Sequence, residues 1–378
     1  MASGTERDYR LDFFRGFALF FIFIDHIPDN IFSAVTLHSF ALNDAAEVFI
    51  YISGYTAALV FTKAIERYGV LLASARIWRR VWQLYVAHLC LFMLYNAEVS
   101  YTMARFNNPL FADELQVGAF LQEPAETILR VLVLQFQPTF LDILPLYIVL
   151  LLVFPLILVA LRRGLLVALL PSILLYAAAR IWEINLPGYP EDRTWTFNPL
   201  CWQLLFVIGA AFGHANAIGR VVLPPRRWQI LVAGAVALFG LTIRGSWVLH
   251  ELTGSIPALL YRAFWPLDKS QLPLLRLANM LALALLAARI IPRQAGFLTS
   301  RAAWPIVLCG QNSLEIFCLS ILLSVMGNVV YTVMGLSFGV QAGVNVAGCL
   351  MLLGFGLLLA WFDGNGQYPK RTAQRTAT

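Results

Sequence analysis

Again and again between about residue 13 and residue 362, the chain enters a run of about twenty apolar residues that carries few charges. A run of that length spans the hydrocarbon core of a bilayer as a helix. Windows of about nineteen residues place candidate spans near 13–33, 44–64, 81–104, 139–161 and 164–183, then near 200–218, 229–250, 273–291, 304–328 and 340–362. The expected fold is therefore all-α: a polytopic integral membrane protein of about ten helices, with residues 1–378 as one transmembrane domain. Composition agrees, since 60% of the residues are hydrophobic and 13% charged, against about 25% charged in soluble domains. A soluble globular enzyme is excluded.

An even number of spans puts both termini on one side. Of the 27 Lys and Arg residues, 19 fall on one alternate set of connections and 8 on the other or its flanks. The basic set includes Arg7, Arg10 and Arg15, the stretch from Lys63 to Arg80, Arg162 and Arg163, and Lys370, Arg371 and Arg375. By the positive-inside rule both termini are expected in the cytoplasm. These cations sit in short runs between apolar stretches, so the net charge of +6 reads as topology and not as a nucleic-acid surface. The first apolar run lacks a small-residue cleavage site and is expected to stay as a membrane helix. The outer connections are the long ones, at 105–138, 184–199 and 251–272. Within the first of them, 127–137 is apolar but too short to span, as an interfacial or re-entrant helix would be.

Several chemistries lack their residues. The five cysteines, at 90, 201, 309, 318 and 349, show no C-x-x-C or Cys/His metal spacing, and no metal site is expected. P-loop, G-x-G-x-x-G, G-x-S-x-G and H-E-x-x-H patterns are missing as well.

The first span, LDFFRGFALFFIFIDHIPDN, carries Arg15, Asp25 and His26 where each ionisable group costs a few kcal/mol to bury, about 3 on insertion scales. Eleven residues of helix are three turns plus about 20°, which sets Arg15 and His26 on one face about 16 Å apart. An imidazole with an ordinary pKa of about 6.5 can take a proton from a hydroxyl at neutral pH. Asp25, its neighbour, points about 100° away on a helix, so Asp44 or Glu47 of the next span could serve as its partner instead. A histidine bonded to a neighbouring helix for packing fits the residue type equally well.

Arg76, Arg79 and Arg80 form R-I-W-R-R on the basic side, where guanidinium forks suit the phosphates of a nucleotide-bearing donor, anionic lipid headgroups, or topology alone. Further polar groups in apolar surroundings are Glu47, Gln137, Asp142, Asn198, Gln203 and Ser313, candidates to line an acceptor cavity or to join helices. Asp142 could also be solvated or paired with Arg130. Gly209-xxx-Gly213 reads as a close-packing face. His38 and His250 fall near the outer interface, His214 near an inner helix end, and His88 inside the third span without a charged companion in sequence.

Four stretches together carry a resemblance: RLDFFRGFALFFIFIDHIP, DAAEVFIYISGYTAAL, FQPTFLDILPLY and FNPLCWQLLFVIG. In this order they resemble the OpgC family, membrane proteins that succinylate osmoregulated periplasmic glucans. The Arg15 to His26 spacing and the R-x-x-R at Arg76 to Arg79 are also similar to signatures of the wider acyltransferase-3 superfamily. The resemblance implies a multi-pass bacterial inner-membrane O-acyltransferase that moves a short acyl group from cytoplasmic acyl-CoA, with succinyl-CoA favoured, to a periplasmic glucan. Acyl-CoA would be a co-substrate, with no permanently bound cofactor. Carried over to this chain, it makes His26 the catalytic histidine beside Asp25, Arg15 its companion toward the donor, and Arg76 and Arg79, with Arg80 beside them, the donor contacts. The late segment GQNSLE departs from the superfamily pattern because no histidine follows it, so a role for that histidine does not transfer.

Direct attack by the glucan hydroxyl and passage through an acyl-His26 intermediate both fit these residues. Two other function classes stay open. A transporter or flippase would use Asp25, His26 and Glu47 as a proton relay, and a structural subunit of a glycan-assembly complex would tolerate loss of Arg15 and His26.

Overall fold

A computed structural model describes residues 7–106, 115–253 and 267–364, with the side chains of 248–253 outside that description. The charges at Asp113, Glu114, Arg262, Lys370, Arg371 and Arg375, the His250 side chain and most of the 251–272 connection lie outside the described residues.

The described chain is helical, its one β feature being an isolated bridge between Pro187 and Thr194. We label the principal helices α1 (Tyr9–Asp25), α2 (Ala45–Phe106), α3 (Pro124–Leu132), α4 (Ile143–Arg163), α5 (Leu165–Ile181) and α6 (Pro199–Ala217). The remainder are α7 (Arg227–Thr253), α8 (Leu274–Ile290), α9 (Trp304–Gln311), α10 (Ser313–Met334) and α11 (Phe338–Phe362). Six of these are long and apolar enough to cross a membrane: α2, α4, α6, α7, α10 and α11. A polytopic membrane protein is what such a set describes.

Sequence windows and helices differ in three informative places. The first window runs to residue 33, but α1 stops at Asp25, with His26 as its cap residue and Pro28 just beyond. The Pro ring forbids the helical hydrogen bonding that would carry the helix on. The second and third windows are arms of one 62-residue element, α2, which turns at Gly69 with φ +78 and ψ 169, a conformation that only glycine adopts without strain. The ninth window is split by Asn312 into α9 and α10.

α6 is the most enclosed of the long helices, with 72% of its apolar window buried. It packs along α2 and α5. Gly209 and Gly213 make the α2 contact possible, since a Cβ on either would run into the backbone of Tyr51 or Tyr55. Thr62 and His214 hydrogen-bond across the same contact at 2.8 Å, which accounts for that histidine. Asn198 caps α6 by accepting from the Leu200 N–H, and Pro199 occupies the first turn, where a missing donor costs nothing. α1 lies against α9, α10 and α2, while α7 and α8 pair with each other at the edge of the bundle. The stretch 127–137 contributes the end of α3, a nine-residue helix, followed by a turn.

Candidate functional site

Two chambers lie at the two ends of α1. One, of about 440 Å³, surrounds its C-terminal end and takes in Asp25, His26, His38, Asp44, Asp142 and Lys269. The other, of about 1030 Å³, lies beside its first turns and takes in Arg15, Lys63, Arg76, Arg79, Arg80 and Arg293. Ile143 at the start of α4 and Phe317 on α10 line both. The α1 helix therefore runs from a cation-rich cavity to a carboxylate-rich one.

His26 closes α1 by donating its backbone N–H to the Ile22 carbonyl at 3.0 Å. Its ring stacks on Phe140, with centroids 4.2 Å apart and planes 22° from parallel. Phe140 holds φ +74, a left-handed conformation that costs a non-glycine residue about 1–3 kcal/mol and that the surrounding structure must impose. The imidazole Nδ1 is buried and has no hydrogen-bond partner among the described residues, so one ring nitrogen is left with a capacity a ligand could meet.

Asp25 does not engage His26. Its carboxylate accepts a 2.6 Å hydrogen bond from the Thr36 hydroxyl, and His38 Nδ1 lies 3.0 Å from that same hydroxyl oxygen and 3.7 Å from the carboxylate. One consistent assignment has His38 Nδ1–H donating to Thr36, which donates on to Asp25, leaving His38 Nε2 as an acceptor. Burial holds His38 below the ordinary imidazole range, so at neutral pH it is a neutral base oriented by a carboxylate. Sequence reasoning set His38 aside as an interfacial residue. It sits on a single helical turn, Leu37–Phe40, in the connection after α1, twelve residues beyond His26, and no helical periodicity links the two.

Asp142, just before α4, lines the His26 chamber and is not paired with Arg130, which donates to Glu126 and Gln135 instead. Lys269 also lines the chamber and pairs with Asp44 at 2.7 Å.

Glu47 is elsewhere. It is fully buried and bonded to Arg276 at 2.5 Å, while its other oxygen accepts the Asp44 N–H at 3.0 Å. Asp44 in turn accepts the Ala46 N–H, so Asp44-x-x-Glu47 is a capping box that starts α2. The expectation that Glu47 lines the cavity is corrected: a capping carboxylate with its charge held by a guanidinium has no oxygen left for a substrate. The D-A-A-E spacing was the signal for this role.

Three amides also bond within the protein, although the buried Oε1 of Gln137 has no partner among the described residues. Gln203 exchanges hydrogen bonds with Ser172, accepting from its hydroxyl at 2.6 Å and donating to its carbonyl. Asn198 donates to the Ile184 carbonyl besides capping α6, and Gln137 donates to Leu134. None of the three lines either chamber. Ser313 does line one, but it is the Arg15 chamber. His88 is fully buried and lines neither.

In the cationic chamber Arg15 donates to the Thr56 hydroxyl at 2.7 Å and leaves its Nε buried without a partner. Arg76 lies over the Tyr68 ring at 3.7 Å, and Arg80 donates to Gln83. Stacking of this kind holds a guanidinium in place while leaving its in-plane donors free. All three arginines of the R-I-W-R-R run thus share a cavity with Arg15 of α1, although they come from the arm of α2 beyond the Gly69 bend.

Residues 7–364 match the family model described as OpgC protein. No curated protein and no solved structure matches the chain.

Proposed function

This chain belongs to the OpgC family, and on that premise we propose that it transfers a succinyl group from cytoplasmic succinyl-CoA to hydroxyls of an osmoregulated periplasmic glucan. Family membership carries the coarser statement, an acyltransferase acting on such glucans. The observation that supports the finer one is the back-to-back pair of chambers, one cationic and one lined by carboxylates, meeting at Ile143 and Phe317.

In this reading the chain crosses the inner membrane ten times, with both termini in the cytoplasm. The short helices α1, α5 and α8 and the two arms of α2 supply the remaining crossings. Arg76, Arg79 and Arg80 bind the phosphates of the donor, since planar guanidinium forks match phosphate oxygens in pairs. The pantetheine arm passes Arg15 and brings the thioester to the Ile143–Phe317 wall. On the far side, Asp25, Asp142 and the rings of Phe140 and Phe197 receive the sugar, whose hydroxyls donate to carboxylates while its C–H faces lie on aromatics.

His26 takes the proton of the acceptor hydroxyl as the oxygen attacks the thioester carbonyl. The tetrahedral intermediate collapses with cleavage of the C–S bond, and the imidazolium returns its proton to the departing thiolate. The products are a succinyl ester and CoA thiol, and the base is regenerated. A positioned base of this kind contributes about 10²- to 10⁴-fold.

Purified protein in liposomes, given succinyl-CoA and glucan, tests the reading. Release of free thiol together with a gain of one succinyl mass on the glucan supports it. Movement of an intact thioester or of unmodified glucan across the bilayer would assign the two chambers to a transporter.

A further inference from the structure

A third cavity, of about 730 Å³, lies between the α7–α8 pair and the α2–α6 core. Its walls are apolar over most of their depth, with Phe212 on α6, Val232 and Val236 on α7, and Ala278 and Leu281 on α8. The helix pair is fastened to the bundle at both ends by polar contacts. At the outer end Arg276 holds Glu47, and Asn279 accepts from the Leu42 N–H at 3.2 Å. At the inner end Arg10 donates to the Ile291 carbonyl at 2.8 Å, and Arg293 donates to Asn216 at 2.9 Å. Between these fastenings the pair stands away from the core.

A cleft of this kind needs an occupant. Water gains no hydrogen bonds from aliphatic walls, and an empty gap forfeits the dispersion contacts of every atom that lines it. Hydrocarbon chain is the material at hand in a bilayer. The inner mouth selects what the chain is attached to, because Arg10, Arg220, Arg289 and Arg293 converge there beside the exposed ring of Trp228. Asp8 offsets Arg10 and Arg293, but Arg220 is exposed, and Arg289, which donates through Nη2 to the Leu223 carbonyl and to Gln229, keeps a buried Nε without a partner among the described residues. Guanidinium forks at the end of an apolar slot, with an aromatic at the headgroup level, are complementary to a phosphodiester with an acyl tail.

We propose that this cleft is a binding site for one anionic phospholipid, its acyl chain between α8 and the α2–α6 core and its phosphate on Arg220 and Arg289. The occupant would act as part of the bundle, filling the space that side chains leave open.

Native mass spectrometry of the delipidated full chain in detergent tests this, with phosphatidylglycerol and phosphatidylcholine of matched chains as probes. The expected result is one retained phosphatidylglycerol per chain, bound more tightly than phosphatidylcholine. Arg220→Gln should reduce that preference about fivefold, the effect of one basic residue on an anionic headgroup. Ala278→Trp, at an exposed position on the cleft wall, should abolish retention of either lipid while circular dichroism stays unchanged. Should that variant fail to fold, Val232→Trp fills the same space from the opposite wall. Equal binding of both lipids by the native chain, or full retention in a folded tryptophan variant, overturns the proposal. Neither readout involves acyl transfer, so failure of the transferase reading would leave this result standing.

Discussion

Ile143 of α4 and Phe317 of α10 both line each of two cavities, one holding His26 and the other Arg15. Arg15 and His26 of α1 thus open into different cavities, and in the proposed reaction a thioester travelling from Arg15 to His26 passes these two apolar side chains. Phe317 is 2% exposed and sits 6.5 Å from Phe49, centroid to centroid. In the proposed reaction, side chains of this kind keep water from the reacting carbonyl.

Replacing Phe317 with Leu should raise acceptor-independent hydrolysis of succinyl-CoA severalfold, because the smaller side chain admits water to the thioester. Thiol release measured without glucan reads this directly. Unchanged hydrolysis would mean that the two cavities are not joined at Phe317.

His26→Ala should lower acyl transfer by about 10²- to 10⁴-fold while membrane insertion and thermal stability persist. Glucan mass spectra and melting of the solubilised protein separate the two effects. Full transfer by the variant removes His26 from the reaction.

Thr36→Val deletes the hydroxyl that links His38 to Asp25 but keeps the side-chain shape. If this relay orients a working base, kcat falls about tenfold, the value of one charge-assisted hydrogen bond, and Thr36→Ser restores it. Equal kcat in the Val and Ser variants would reduce His38 to a packing residue.

Arg79→Ala should raise the KM for succinyl-CoA by about tenfold with little change in kcat, as expected for loss of a ground-state contact to phosphate. A KM that does not move would leave the arginine run as a topology anchor.

Glu47→Gln should cost up to about 3–5 kcal/mol of stability, since it leaves the buried Arg276 guanidinium only its longer 3.5 Å pairing with Asp44. The double variant with Arg276→Met should recover much of that loss. A Glu47→Gln protein of native stability but without activity would return Glu47 to the substrate cavity.

The sequence by itself determined that the chain is an all-helical membrane protein, because a bilayer demands internally satisfied backbone and apolar runs of matching length, and both are readable one window at a time. It also marked Arg15, His26 and the arginine run, since charge in an apolar stretch stands out without knowledge of neighbours. What only tertiary structure decided was which polar groups meet. Glu47 and Gln203 carry the same sequence signal as Asp142, yet two are consumed by Arg276 and Ser172 from distant helices while the third faces a cavity. His38 reaches the chamber through the connection after α1, where no period relates position to direction, and the bend at Gly69 folds one arm of α2 back so that Arg76 and Arg79 stand near Arg15. Hydrophobicity is a property of a segment, whereas the satisfaction of a buried polar group belongs to a pair, and Glu47 and its partner Arg276 are 229 positions apart.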